Sequence, residues 1–292
     1  MTNWKYPEAV VETDWLAAHL QDDSVRVFEC TTYLRYTDDD PHQPYIVESA
    51  RPDYESGHIA GAAYLDLQSE LSNPESPYRF TMPAYDDLAQ RFAAKGIGDG
   101  FRLVLYSRGG MQWATRIWWM LRSVGFDNAA ILNGGWEKWE QEARATESGS
   151  SDYSAAQFVP MPRPELFVGK DEVMAAIGDT AVCTLNALTP DLHSGENPRY
   201  GRPGRIPGSV NVPAHSLSNP EDKTFISLDA VQEAFDAVGA KREQRIINYC
   251  GGGIAATLDA FLLYQLGYEN LTVYDDSMSQ WATDETLPIE KD

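Results

Sequence analysis

The pattern of hydrophobic and polar positions predicts a chain in which strands and helices alternate. Short apolar runs typical of buried strands lie at 24–30, 102–107, 129–134, 179–185, 245–250 and 271–276. Segments with the length and periodicity of helices lie between them, at 85–97, 113–125, 228–240 and 255–267. Such alternation is typical of α/β units, each built on a mainly parallel sheet and flanked by helices.

The same order of elements occurs twice. The stretch "GHIAGAAYLDL" at 57–67 resembles "GRIPGSVNVPA" at 204–214, and the stretch 104–140 resembles 247–283. In both halves a glycine-flanked turn is followed by a strand, a glycine loop, a helix, another strand and a tryptophan. A repeat of this length is the size of a domain, so the pattern indicates a tandem duplication of one globular unit.

The connection between the halves is predicted at 141–165. This stretch is rich in Ser, Ala, Pro and charged residues and has no sustained periodicity, which favours an extended linker over the surface. We divide the chain at about 150, into domains 1–150 and 151–292. A chain of 292 residues agrees with two domains of roughly 100–200 residues each.

The charge of the chain restricts its partners. Lys and Arg number 23 and Asp and Glu number 44, which gives a formal charge of −21. Such a surface repels phosphate backbones and anionic membranes, so we expect neither nucleic acid nor a membrane as a partner. No apolar run reaches the ~18 residues of a membrane span, and the N-terminus lacks the features of a signal peptide. We therefore expect a cytoplasmic protein.

Cysteine and histidine usage gives no sign of a metal or cofactor site. Three cysteines, at positions 30, 183 and 250, are too few and too scattered for a disulfide framework or a zinc cluster. The five histidines are equally dispersed. We expect no bound metal and no cofactor.

One cysteine nevertheless occupies a chemically suggestive place, in "INYCGGGIAAT" at 247–257. Cys250 follows an apolar strand and precedes three glycines and a helix that begins near Ile254 or Ala255. Glycines allow a tight loop with inward-facing amides, which forms an anion-binding concavity. The positive end of the helix dipole would add to it and favour the nucleophilic thiolate. The alternative is that Cys250 is a small buried hydrophobe in a turn.

The residues around Cys250 restrict the chemistry of such a thiolate. A phosphatase of the Cys-x5-Arg type needs a cation at the sixth position after the nucleophile, and that position is Ala256. No histidine that could act as a base lies nearby in sequence. The chemistry that remains is attack on a sulfane sulfur, which the cysteine would hold as a persulfide.

Several features together resemble the two-domain rhodanese family of thiosulfate and 3-mercaptopyruvate sulfurtransferases. They are the tandem halves, "GRPGRIPGSVNVP" at 201–213, the six-residue cysteine loop and "YENLTVYDDSMSQW" at 268–281. The resemblance covers about residues 10–290. It implies two rhodanese-like domains and transfer of sulfur from thiosulfate or 3-mercaptopyruvate to cyanide or a thiol. The catalytic residue would be Cys250, and the substrate-binding loop would comprise Gly251, Gly252, Gly253, Ile254 and Ala255.

The resemblance also assigns roles to the halves. The position equivalent to Cys250 in the first half is Ser107, which cannot carry a sulfane sulfur. The first domain is therefore expected to be catalytically silent and to contribute one wall of a cleft. A non-catalytic persulfide carrier or sensor, which receives sulfur from a partner protein, remains the alternative function.

The residues that would bind the donor depart from the family pattern. Asp66 fits an acidic position of the family, but Arg79 or Phe80 stands where 3-mercaptopyruvate enzymes can carry a histidine. The substrate arginine of the second domain has no clear match. A local substitute is "RYGRPGR" at 199–205, which contains no acid, and we expect it to form a positive rim for the anionic donor. The three arginines concerned are Arg199, Arg202 and Arg205. The alternative is a surface turn with paired arginines.

Overall fold

The computed structural model of the protein describes residues 4–37 and 44–292. The strands of the first half are β1 (Val10–Val11), β2 (Val25–Glu29), β3 (Thr32–Tyr36), β4 (Tyr45–Ser49), β5 (His58–Ile59), β6 (Ala63–Tyr64), β7 (Arg102–Tyr106), β8 (Ala129–Leu132) and β9 (Thr146–Glu147). Its helices are α1 (Thr13–His19), α2 (Arg51–Ser56), α3 (Leu67–Glu70), α4 (Tyr85–Ala94), α5 (Gln112–Ser123) and α6 (Gly135–Gln141).

The second half begins after a 3₁₀ turn at Pro164–Leu166. Its strands are β10 (Phe167–Val168), β11 (Val182–Asn186), β12 (Val210–Asn211), β13 (Arg245–Tyr249) and β14 (Leu271–Tyr274). Its helices are α7 (Lys170–Ala176), α8 (Pro190–Ser194), α9 (Leu228–Ala237), α10 (Ala255–Gln265) and α11 (Ser277–Trp281).

Each half contains a parallel sheet, and the two sheets have equivalent strand orders. The order is β1-β8-β7-β2-β6 in the first half and β10-β14-β13-β11-β12 in the second. Every neighbouring pair in these two sheets is parallel. The tandem α/β fold expected from the sequence is confirmed, and helices α5 and α10 end as predicted before Gly125 and Gly267, which both have positive φ.

The halves meet along α5 and α10. Thr115 and Thr257 share a hydrogen bond of 3.0 Å between their hydroxyl groups, and Trp118 packs edge-on against Phe261 with ring centroids 4.9 Å apart. Helix α10 is buried on nearly every side because it lies between its own sheet and α5. A helix that is buried all round is apolar on most of its faces, and α10 is apolar except for a few buried polar residues such as Thr257 and Asp259.

The linker packs on the first half. Beyond β9 the backbone amides of Ala156, Met161 and Arg163 donate to carbonyls of α4 and of the end of α5. Tyr153 also donates through its hydroxyl to the carbonyl of Gly61. By these contacts the segment 151–163, which directly follows the division predicted at about 150, packs on the first half.

One hairpin interrupts the resemblance between the halves. Strands β3 and β4 pair antiparallel, with Thr32 opposite Ser49 and Tyr36 opposite Tyr45. The hairpin leaves the carboxyl edge of the first sheet and brings aromatic side chains to the second half. Among the described residues, no helix is both long enough and apolar enough to cross a membrane.

Candidate active site

Cys250 lies at the carboxyl edge of the second sheet. It directly follows β13, which is hydrogen-bonded between β11 and β14. Ligands of open α/β sheets bind beyond this edge of the sheet. The residue exposes only 2% of its surface, yet it lines a cavity between the two halves.

The side chain of Ser277 fixes the backbone of the cysteine loop by hydrogen bonds. Its hydroxyl oxygen accepts hydrogen bonds from the amides of Cys250 (3.1 Å) and Gly253 (3.2 Å) and donates to the carbonyl of Tyr274 (2.7 Å). Ser277 itself has φ +48°, a conformation that costs a non-glycine residue energy and persists only where its surroundings enforce it.

The carbonyls at the start of the loop are also bound. Cys250 accepts from the amide of Met278 (3.0 Å), and Gly251 accepts from both the amide and the hydroxyl of Ser279 (2.8 and 2.7 Å). The amides of Gly251, Gly252, Ile254 and Ala255 have no hydrogen-bond partner among the described residues. These four amides, at the start of α10, can therefore bind an anion.

Two glycines of the loop are required by close contacts. A Cβ atom at Gly251 would overlap the hydroxyl of Tyr200, and one at Gly253 would overlap the carbonyl oxygen of Asp275. Gly253 also has φ +71°, where side chains are strained. Thus the glycine run predicted as a loop is shaped by its neighbours as well as by backbone freedom.

A buried arginine of the first half reaches this loop. Arg116 on α5 donates to the carbonyls of Gly253 (3.1 Å) and Phe80 (2.7 Å) and to the carboxylate of Asp275 (2.6 Å). Its side chain is fully buried. Next to this ion pair, Thr81 donates to Asp276 (2.7 Å), and the amide of Met82 donates to Asp275 (2.7 Å). The segment 80–82 thereby joins the first half to the end of β14.

The cavity in front of Cys250 has a volume of about 460 Å³. The first half contributes aromatic side chains to it, including Tyr36, Tyr45, Phe80 and Trp113. The second half contributes the cysteine loop, Arg199 and Tyr200, together with several leucines. None of the described lining residues is Asp or Glu, although the chain contains 44 of them. This cavity is therefore suited to an anion despite the acidic surface.

Two buried tyrosines stand beside the thiol. Burial raises the pKa of Tyr45 to about 12 and raises the pKa of Tyr200 well above its usual value. Both phenols therefore remain protonated near neutral pH and can donate a hydrogen bond to an anion.

The three predicted arginines have different surroundings. Arg199 lines the cavity and stacks over the ring of Tyr36 at 4.1 Å, and no described carboxylate lies within salt-bridge distance of it. Arg202 instead donates to the carbonyls of Trp281, Ala282, Asp284 and Leu287.

Arg205 likewise binds elsewhere, because it pairs with the carboxylates of Glu290 and Asp292. Neither Arg202 nor Arg205 lines the cavity formed by the described residues. The structure places both of them where they fasten the C-terminal segment, and this corrects the prediction of a three-arginine rim.

Asp66 is placed away from the thiol. Its carboxylate caps α3 by accepting from the amide of Ser69 (2.9 Å), and it also accepts from the hydroxyl of Ser49 (2.8 Å). It does not line the cavity formed by the described residues. The structure gives it the role of a helix cap, so its predicted contact with substrate has no support in these contacts.

The equivalent loop of the first half cannot act in the same way. The hydroxyl of Ser107 is buried and donates to the carbonyl of Gly110 (2.6 Å) within its own loop. The thiols of Cys30 and Cys183 are also poorly suited to act as nucleophiles. Burial raises the pKa of Cys30 well above its usual value and that of Cys183 to about 11. Cys250 is therefore the thiol with both a cavity and unpaired amides beside it.

Comparison with known proteins agrees with this geometry. The model of the rhodanese-like domain matches residues 12–142 and 191–284. The 3-mercaptopyruvate sulfurtransferase of Escherichia coli K12 is 30% identical, over 96% of this chain and 97% of its own. Thiosulfate/3-mercaptopyruvate sulfurtransferase 2 of Arabidopsis thaliana is 29% identical, over 97% of this chain and 86% of its own.

A solved structure shows the same arrangement. The crystal structure of a 3-mercaptopyruvate sulfotransferase from Escherichia coli, described with the rhodanese fold, has a TM-score of 0.80. It is 26% identical and covers 92% of this chain and 98% of its own. The chain belongs to the rhodanese family. Within that family it is an enzyme, a sulfurtransferase.

Proposed function

We propose that the protein moves a sulfane sulfur from a small anionic donor, 3-mercaptopyruvate or thiosulfate, to cyanide or a thiol through a persulfide on Cys250. The observation that carries the proposal is the environment of this thiol. Cys250 faces a cavity that combines unpaired loop amides with Arg199 and has no acidic residue among its described lining. Such a site binds an anion and holds the nucleophile next to it.

In the first half-reaction the thiolate of Cys250 attacks the transferable sulfur of the donor. With thiosulfate, a new S–S bond forms on the cysteine, the old S–S bond breaks, and its electron pair leaves with sulfite. With 3-mercaptopyruvate, the C–S bond breaks and its electron pair passes to carbon, which takes up a proton to give pyruvate. The unpaired amides and the N-terminus of α10 stabilise the persulfide anion that results.

In the second half-reaction the acceptor attacks the outer sulfur of the persulfide. The Cys250–sulfur bond breaks, and its electron pair returns to the thiolate. The balance requires no external oxidant or reductant. The residues that line the site need to provide only hydrogen-bond donors and positive charge.

Arg199 is the residue that we assign to donor capture. Because Arg199 has no carboxylate partner among the described residues, its guanidinium can bind the carboxylate or sulfonate-like end of the donor. The stack on Tyr36 fixes the plane of the guanidinium at the cavity wall.

Turnover assays with both donors test the proposal. Wild-type protein and Cys250→Ser are compared with thiosulfate and with 3-mercaptopyruvate, in each case with cyanide as acceptor and thiocyanate as product. We expect turnover with at least one donor and none for Cys250→Ser. Wild-type protein that turned over neither donor would contradict the proposal.

A second candidate function is the transfer of sulfur between partner proteins, as a sulfur carrier. A sulfur carrier protein of Thermus thermophilus is 28% identical over 99% of this chain and 98% of its own, which favours this alternative. A carrier would accept one sulfur on Cys250 from a partner and would not release it to cyanide or small thiols. Multiple turnovers with cyanide separate the two functions.

A further inference from the structure

The cavity is larger than either small donor requires. Volumes of roughly 300–1,000 Å³ accommodate drug-sized ligands, and the cavity measures about 460 Å³. Thiosulfate and 3-mercaptopyruvate would fill only a part of it next to the thiol. The remainder is space that the acceptor can occupy during the second half-reaction, when it approaches the persulfide.

The wall of the cavity beside the cysteine loop is a connected aromatic surface. The rings of Tyr45 and Phe80 lie nearly parallel with centroids 6.3 Å apart, and Phe80 meets Trp113 edge-to-face at 5.5 Å. The surface starts at the loop, because a Cβ atom at Gly252 would lie 3.1 Å from the hydroxyl of Tyr45 and 3.7 Å from Phe80. A planar apolar ligand that reaches the persulfide would therefore contact these rings.

The other sides of the cavity combine apolar side chains with cationic and neutral polar ones, the last including Thr189, His215 and Asn219. Leu188, Leu192 and Leu258 line it from the second half. Arg199 and Lys223 supply positive charge, and the described lining contains no Asp or Glu. An acceptor that fills this space has a broad apolar body and a negative charge.

We propose that the preferred acceptor is a small thiol that combines an aromatic or comparably broad apolar body with an anionic group. This rests on the proposed function, because it concerns the acceptor of the Cys250 persulfide. The acceptor thiolate attacks the outer sulfur, a new S–S bond forms on the acceptor, and the Cys250–sulfur bond breaks. The electron pair returns to the cysteine thiolate, so one persulfide replaces another and charge is conserved.

The experiment isolates the second half-reaction. Protein is loaded with sulfur from thiosulfate or 3-mercaptopyruvate and freed of donor, and the loss of sulfur is followed by intact mass after mixing with a thiol. The two probes are 4-(mercaptomethyl)benzoate and 3-mercaptopropionate. Both carry a carboxylate and a thiol on a saturated carbon, but only the first carries a ring, and rate constants are compared per thiolate because the two thiols ionise to different extents.

We expect the second-order rate constant to be about tenfold or more higher for the aromatic thiol, a ratio that corresponds to about 1.4 kcal/mol. Trp113→Leu removes a ring from the wall and should bring this ratio close to one. Trp136→Leu is the matched control, because Trp136 is equally buried but packs in a separate cluster of the first half, and it should preserve the ratio. If Trp113→Leu does not fold, Tyr36→Leu provides a second wall variant, because Tyr36 lines the cavity, meets Tyr45 edge-to-face at 6.0 Å and is half-exposed.

Two results would overturn the proposal: rate constants within threefold of each other for the two thiols in the wild type, or a ratio that survives in every folded wall variant. A wild type that acquires no sulfur from either donor is a different outcome. That result rejects the sulfurtransferase function itself, and the acceptor proposal with it. Loading that succeeds without aromatic preference rejects the acceptor proposal alone.

Discussion

The guanidinium of Arg116, on a helix of the first half, donates a hydrogen bond of 3.1 Å to the carbonyl of Gly253 in the cysteine loop of the second half. The same side chain pairs with Asp275 at 2.6 Å, next to the serine that holds the loop amides. The first half therefore contributes a side chain directly to the loop that contains Cys250. This explains why a domain without a reactive thiol remains part of the site.

Replacement of Arg116 should lower the free energy of unfolding and change the conformation of the cysteine loop. Arg116→Met leaves the carboxylate of Asp275 without its buried partner, which costs roughly 3–5 kcal/mol in the free energy of unfolding. It also frees the carbonyl of Gly253, so the rate at which iodoacetamide alkylates Cys250 in the folded protein should change. Chemical denaturation and alkylation kinetics measure the two effects.

The matched control is Arg108→Met, which breaks the buried pair with Glu29 in the first half. It should also destabilise the protein, but it should leave alkylation of folded Cys250 unchanged. Equal effects of the two variants on alkylation would show that Arg116 acts only through global stability.

Arg199 and Arg202 should behave differently although only three positions separate them. A charge-assisted hydrogen bond to the donor contributes roughly 1.5–3 kcal/mol, so Arg199→Ala should lower kcat/KM about 10- to 150-fold. Arg202→Ala loses bonds to backbone carbonyls instead and should lower the melting temperature with a smaller effect on kcat/KM of the folded enzyme. The reverse order of effects on kcat/KM would refute the assignment of Arg199 to donor binding.

Gly251→Ala should strongly reduce activity because its methyl group would overlap the hydroxyl and ring of Tyr200. Either the loop or Tyr200 must move, and we expect kcat/KM to fall at least about tenfold, equivalent to about 1.4 kcal/mol. Gly57→Ala serves as control, since a Cβ atom there has no neighbour within 4 Å. If Gly251→Ala kept full activity, close packing of Tyr200 on the loop would not matter for catalysis.

The free energy of unfolding should depend on pH through the ionisation of Asp276. Burial, with a smaller contribution from the charge of Asp275, raises its pKa to about 6. Its usual value is 3.8, so between about pH 4 and 6 the folded state binds more protons than the unfolded state. The contribution of Asp276 to the free energy of unfolding is fully present below about pH 4 and is lost as the pH rises through about 6.

Asp276→Asn keeps an acceptor for Thr81 without the charge. It should therefore raise the free energy of unfolding at pH 7 by roughly 1–2 kcal/mol. The gain should disappear near pH 4, which urea titrations at the two pH values can measure. A gain of equal size at both pH values would contradict this explanation.

The fold was predictable, and Cys250 could be selected as the candidate nucleophile, because both signals are local in the sequence. Hydrophobic periodicity marks the longer helices α4, α5, α9 and α10 and the strands β2, β7, β8, β11, β13 and β14, whereas the shorter elements have too few residues to show a period. Cys250 lies at the one junction where a strand, glycines and a helix meet a thiol. The two halves repeat the pattern, so each supports the interpretation of the other.

The supporting residues were missed because their contacts are distant in sequence. Arg116 and Gly253 are separated by 137 positions, and Cys250 and Ser277 by 27. The charge pattern of 199–205 did show a cationic cluster, but it could not show that backbone carbonyls bind Arg202 and carboxylates bind Arg205. One feature of the sequence could have indicated that Ser277 belongs to the site, because Ser277 lies in the segment 268–281 that carries the family resemblance.

The most direct test of the account is to locate the transferred sulfur. Protein is incubated with 3-mercaptopyruvate or thiosulfate without acceptor, digested, and the mass of each cysteine peptide is measured. We predict that one extra sulfur is found on the peptide that contains Cys250, that cyanide removes it, and that Cys250→Ser acquires none. Sulfur carried by Cys30 or Cys183 instead, or thiocyanate formation by Cys250→Ser at the wild-type rate, would contradict the account.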